Sequence, residues 1–150
     1  MFVDEPLIIS SCQLSIHNDL DRKDTMMKTK AAFIVGAIFA IIFGIGLAFL
    51  PNIMIDLFDV SLNEDGIHIA RIFGAALIGF AVMFWQVSKD MPSEARRNII
   101  LGETVHSGIA SIFWIIALVQ GLGNWLMWIP FLGHLGLTIW FGYLYIKGAK

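Results

Sequence analysis

Four ionisable side chains fall inside the long apolar stretches of this chain: Arg71, Glu103, His106 and His134. If those stretches lie in hydrocarbon, each such group costs several kcal/mol unless it is paired or hydrated, so these four are the first candidates for chemistry. Glu103 and His106 form an E-x-x-H pair, three residues apart and therefore on one helical face. Carboxylate-bridged di-metal bundles use that spacing, but they need a second such pair and two further carboxylates on facing helices. No other Asp or Glu lies within an apolar stretch, so no metal site is expected. Two roles stay open for Glu103: a buried carboxyl that accepts a proton, or a structural group reaching towards Lys147, Gln86 or the interface.

His106 lies about 5 Å from the midpoint of its segment and His134 almost at the midplane. Both could serve as axial ligands of a b-type haem, although a depth difference of about 6 Å makes that geometry awkward. Alternatively each bonds a nearby hydroxyl or carbonyl, for which Ser107, Ser111 and Thr138 stand close in sequence. No resident cofactor is expected. Glu103, His106, Ser107, His134 and Thr138 are read instead as one buried polar seam. Arg71 shares a helical face with Gly74, Ala75 and Ile78, which should point into a bundle. It would either hold an anionic headgroup or carboxylate, or pair with Asp56, Asp59, Glu64 or Asp65.

The elements that must position these groups are four apolar segments, at about 31–50, 69–88, 99–120 and 125–146. About 20 apolar residues at ~1.5 Å rise cross the ~30 Å hydrocarbon core of a bilayer. Composition agrees: 57% of the 150 residues are hydrophobic and 15% charged, with a mean hydropathy of +0.76. A net charge of −2 gives no reason to expect nucleic acid as a partner. The single cysteine, Cys12, excludes an intramolecular disulfide and a CxxC redox pair.

Charge placement predicts the orientation. Arg22, Lys23, Lys28 and Lys30 precede span 1; Lys89, Arg96 and Arg97 lie between spans 2 and 3; Lys147 and Lys150 follow span 4. Basic residues are retained on the cytoplasmic side, so both termini should be cytoplasmic. Trp125 and Trp128 then mark the outer interface, and Trp85, Tyr143 and Tyr145 the inner one. Residues 1–27 are expected to form a flexible tail. It has no basic region ahead of its short apolar patch, which argues against a signal peptide. Met26 and Met27 offer an alternative translation start.

Pro51 should end span 1. Beyond it Ile53, Met54, Leu57, Phe58 and Val60 recur at helical spacing with Asp56 and Asp59 opposite, predicting a short amphipathic helix on the outer face. It is read as a surface cover in preference to a substrate lid. Gly36, Ala40, Gly44 and Ala48 place a small residue at every fourth position of span 1, as close helix packing in lipid requires. That stripe suits intramolecular packing or, alternatively, a homo-oligomer. Short links make the neighbours antiparallel. The expected fold is an all-α, integral membrane four-helix up-down bundle over residues 28–150.

The stretch from Leu57 to Trp85, LFDVSLNEDGIHIARIFGAALIGFAVMFW, and its continuation through Arg96-Arg97 and Gly121-Leu-Gly-Asn-Trp to Phe141-Gly142-Tyr143 carry a resemblance. The chain resembles, over about 28–147, a group of small, uncharacterised four-span bacterial membrane proteins. Phe58-Asp59-Val60 stands where that group has an FGV-like link, and Trp140-Phe141-Gly142-Tyr143 where it has a GFGY-like close. The resemblance implies a bacterial cytoplasmic membrane and no catalytic residues. More distantly the layout is similar to DoxX-type four-helix proteins, an analogy of fold alone. Small multidrug exporters are excluded, because they carry an essential Glu in span 1 and this span has none.

The function expected first is therefore non-enzymatic: binding a lipid-like or quinone-like molecule, or supporting a partner membrane protein. Arg71, Glu103, His106, His134 and Thr138 would contact the ligand. A redox or proton-handling subunit, or a small transporter, is the alternative.

Overall fold

The computed structural model describes residues 5–89 and 93–148, with side chains from 15 to 89 and 94 to 148. Lys150 and the side chain of Cys12 lie outside the described residues. The chain forms helices α1 (Glu5–Phe49), α2 (Pro51–Asp56), α3 (Glu64–Lys89), α4 (Ser93–Val119) and α5 (Trp128–Ile146), with one 3-10 turn at Trp125–Met127. Four of these are long and apolar enough to cross a membrane. α1 runs as one helix of 45 residues from Glu5 to Phe49. Its exposed part is supported by ion pairs four apart, Lys23–Asp19 at 2.9 Å and Lys28–Asp24 at 2.6 Å. A one-turn spacing lets such charges meet along a solvated helix.

Pro51 ends α1 and opens α2, where its missing N–H is one that no helix start uses. Pro130 is likewise tolerated in the first turn of α5. The helices alternate in direction. Both the α1–α3 and α4–α5 links lie at one end, where Asn124 bonds the backbone of Leu57 and Phe58. At the other end Arg97 stacks on Tyr145 at 4.9 Å. The up-down bundle read from the sequence is the fold.

Its helices pair unequally. α1 packs along α3, and α4 along α5, whereas the backbones of α3 and α4 stay apart despite their short link. The α1–α3 seam uses the small-residue stripe. A Cβ built on Gly74 would collide with the Ala48 nitrogen and lie 2.8 Å from the Gly44 oxygen. Only hydrogen fits there, and the two backbones are nearly in contact. The stripe of span 1 thus serves intramolecular packing, the first of its two expected uses.

Near the α3–α4 link the four long helices close on a common core. Phe33 from α1, Phe84 and Val87 from α3, Ile100 from α4, and Phe141 and Leu144 from α5 are buried together. The Phe33 ring lies 5.7 Å from Phe84 and 5.1 Å from Phe141, centre to centre, tilted as aromatic quadrupoles prefer.

At the opposite end the links lock one another. Asn124 donates its backbone N–H to the Phe58 carbonyl (2.8 Å) and its side-chain amide to the Leu57 carbonyl (2.8 Å). Its Oδ1 accepts from Leu126 N–H (2.9 Å) and so caps the 3-10 turn. Gly123 beside it has φ +69°, and a Cβ there would meet the Phe58 oxygen at 2.6 Å. The glycine is required on both counts. α2 itself spans only one and a half turns. Ile53 and Leu57, expected on its apolar face, are exposed, and Met54, Ile55 and Phe58 turn inward.

Candidate functional site

Where α3 and α4 stand apart, the bundle encloses a cavity of about 160 Å³. Phe39 and Phe43 from α1, Phe73, Leu77 and Phe80 from α3, and Trp114 from α4 form its walls. Met54, Ile55 and Phe58 close one end, so the link between α1 and α3 covers the cavity as well as the bundle surface. Its ionisable lining is confined to three side chains: Glu103, His106 and His134.

Each is set by local helical geometry. Glu103 is only 6% exposed; Ser107, one turn on, donates its hydroxyl to Oε1 at 2.5 Å. Ser111 in turn donates to the Ser107 carbonyl at 2.7 Å. The other carboxyl oxygen, Oε2, lies 3.4 Å from His106 Nδ1, longer than an ordinary hydrogen bond, and that nitrogen is sealed from outside. The E-x-x-H spacing thus makes a carboxyl–imidazole pair. Glu103 reaches neither Lys147 nor Gln86, because the helix turns it inward against Ser107 on its own face.

On α5, His134 Nδ1 lies 2.8 Å from the Pro130 carbonyl. A carbonyl only accepts, so Nδ1 carries the proton and Nε2 is the bare nitrogen. Thr138 spends its hydroxyl on the His134 carbonyl (2.8 Å) and offers no side-chain donor to either imidazole. Among the described contacts neither imidazole bonds Ser107, Ser111 or Thr138; a carbonyl, that of Pro130, serves His134, and Glu103 faces His106. The two imidazoles meet edge to face with centroids 6.0 Å apart. The depth mismatch expected along the bundle does not separate them.

Aromatic rings fix both histidines from outside the pair. Phe80 stacks on His106 (5.6 Å, 14° between planes) and Phe39 meets His134 edge on (5.7 Å). Trp114 lies 6.5 Å from His134. These wall residues escaped the sequence reading, since aromatics at helical spacing look alike on a lipid face and a cavity face. The available space suits one six-membered ring, since an apolar cavity of about 150 Å³ is known to hold benzene. A four-ring haem macrocycle does not fit it. Among the described residues, no three His, Cys, Asp or Glu side chains form a metal-binding group.

Arg71 stands apart from the cavity. It is exposed on α3 and lines no part of the cavity. Among the described residues it joins no ion pair; Asp56, Asp59, Glu64 and Asp65 are likewise exposed. The buried stripe of α3 runs through Ala70, Gly74, Ala81 and Phe84, and Arg71 stands beside it.

The chain belongs to the family described as a domain of unknown function (DUF8292). That family's model matches residues 34–147. The match takes in every residue lining the cavity and leaves out the exposed start of α1. No curated protein and no solved structure matches the chain. Any function is therefore argued from the cavity itself.

Proposed function

We propose that this chain is a multi-pass protein of the bacterial cytoplasmic membrane, with both termini in the cytoplasm, that binds a small lipid-like or quinone-like molecule. The observation that carries this reading is the aromatic-walled cavity with one polar patch, Glu103–His106–His134, at the α3–α4 gap. Ligand sites are mostly apolar with a few convergent polar groups that fix orientation, and this cavity has that composition. Its lining belongs to helices suited to a bilayer, and His106 is 37% exposed where α3 and α4 diverge. A lipophile dissolved in the membrane would enter sideways there, ring first, its tail left among the lipids. The orientation rests on nine of the ten basic residues falling on the side of the termini. The polar groups bind and orient; none is assigned a catalytic role.

Native mass spectrometry of the protein released from lipid nanodiscs tests the reading. A small lipophile should remain bound to the wild type and be lost from Ala110→Trp, which fills the cavity from α4. A bare wild-type chain that also fails to take up added ring lipophiles would overturn it.

A further inference from the structure

The proton inventory of the cavity selects the ligand's polar atom, given the binding reading above. Glu103 Oε2 and His106 Nδ1 face each other at 3.4 Å, and a proton must lie between them or two lone pairs would be opposed. Among the described residues no Lys or Arg lines the cavity to neutralise a net charge. Low dielectric therefore favours a pair that is neutral overall. With Ser107 donating to Oε1, an acid proton belongs on Oε2, and two such arrangements exist. In one, a carboxylate faces an imidazolium, which carries a proton on both nitrogens. In the other, a carboxylic acid turns its proton towards bare Nδ1, which leaves the imidazole proton on Nε2. Both present the same thing outward: Nε2–H, a donor. Only the net-negative arrangement, carboxylate with singly protonated Nδ1, would expose a bare Nε2.

Because Nδ1 is sealed, the exposure of His106 belongs to the rest of its ring. No described side chain accepts a hydrogen bond from it. An incoming molecule must therefore bring an acceptor oxygen. A hydrocarbon leaves the donor unpaired. An alcohol brings a proton of its own and needs a second partner for it; among the described lining side chains outside the Glu103–His106 pair that partner is Nε2 of His134, whose ring centre lies 6.0 Å from that of His106. A carbonyl completes the site with a single bond. We infer that the cavity takes a ring-bearing ketone or quinone, its carbonyl oxygen accepting a hydrogen bond from Nε2–H of His106 while the ring packs against Phe80 and Trp114.

Three matched probes of nearly one shape test this on the full chain in nanodiscs: acetophenone, 1-phenylethanol and ethylbenzene. Acetophenone should bind roughly five- to tenfold more tightly than ethylbenzene, the worth of about one hydrogen bond, and more tightly than the alcohol. The infrared carbonyl band of bound acetophenone should move to lower wavenumber than in protein-free nanodiscs. In His106→Phe the preference and the band shift should both vanish, with ethylbenzene still bound. The band measurement needs no variant, so the test survives if His106→Phe fails to fold. Equal binding of ketone and hydrocarbon, an alcohol that matches the ketone, or an unshifted band would overturn the carbonyl inference and leave a general lipophile site standing. Failure of all three probes to bind would instead overturn the binding reading on which it rests.

Discussion

The two halves of the bundle are built from similar side chains to opposite ends. Near the α3–α4 link, Phe33, Phe84 and Phe141 fill the centre with no space left over. Towards α2, Phe39, Phe43, Phe73 and Phe80 stand around a void. Aromatic content does not separate the halves; enclosure does, since Phe33, Phe84 and Phe141 are buried whereas Phe73 and Phe80 are exposed. In the closed half α3 and α4 meet through Phe84, Val87 and Ile100. In the open half each packs its backbone on its own partner, α3 on α1 and α4 on α5, and Phe80 reaches His106 across the gap. Lipid offers no hydrophobic drive to close the gap, because a side chain facing acyl chains is as well solvated as one facing a neighbour. A membrane protein can thus hold an open pocket at less cost than a soluble one.

That comparison depends on the α1–α3 seam, and the largest predicted effect is there. Gly74→Ala drives a methyl into the Ala48 nitrogen, with backbone, not a flexible side chain, in the way. The helices must separate, at a cost of about 3 kcal/mol or more. Thermal unfolding of the detergent-solubilised protein should show the loss. Gly79→Ala on the same helix, where a Cβ meets nothing within 4 Å, should be neutral within about 0.5 kcal/mol.

The next effect is in the closed core. Phe141→Ala removes a fully buried ring. In lipid the transfer part of the usual penalty is small, which leaves the cavity part, about 2 kcal/mol. The same substitution at Phe73, half exposed in the open half, should cost under about 1 kcal/mol. Equal losses at the two positions would erase the distinction between the halves.

Asn124→Ala tests what holds the open half in shape. It deletes the side-chain bond to the Leu57 carbonyl and the cap on Leu126. A loss of about 1–2 kcal/mol is expected, together with faster hydrogen exchange at residues 51–60 as the cover over the cavity loosens. Unchanged exchange there would mean that packing of Met54 and Phe58 alone seats the link.

Much of this was legible beforehand, and the limits have physical causes. Spans, up-down order, the small-residue seam and the E-x-x-H pair follow from periodicity, which the backbone enforces residue by residue. The Glu103–Ser107–His106 arrangement needed only one helix and so could be read in outline. The His106–His134 contact could not, because relative depth on two helices depends on link geometry that sequence does not print. Asn124 was invisible for a similar reason: its partners lie 67 residues away. Arg71 was misplaced because two small neighbours suggested a buried face, whereas the packed stripe of α3 runs along the adjoining ridge.

The smallest predicted change in stability is a gain, and it bears most directly on function. Ala110 lines the cavity from α4 opposite the α1 aromatics. Ala110→Met would fill part of the void with a flexible side chain, and cavity-filling changes commonly add about 1 kcal/mol. If the open half exists to hold a ligand, the gain should come with lost uptake of acetophenone and ethylbenzene alike, since the steric block precedes any hydrogen bond. His106→Phe, by contrast, should lose only the preference for the ketone. A stabilised Ala110→Met that still bound both probes would place their site outside the cavity, and the gap between α3 and α4 would then be a packing feature without a ligand.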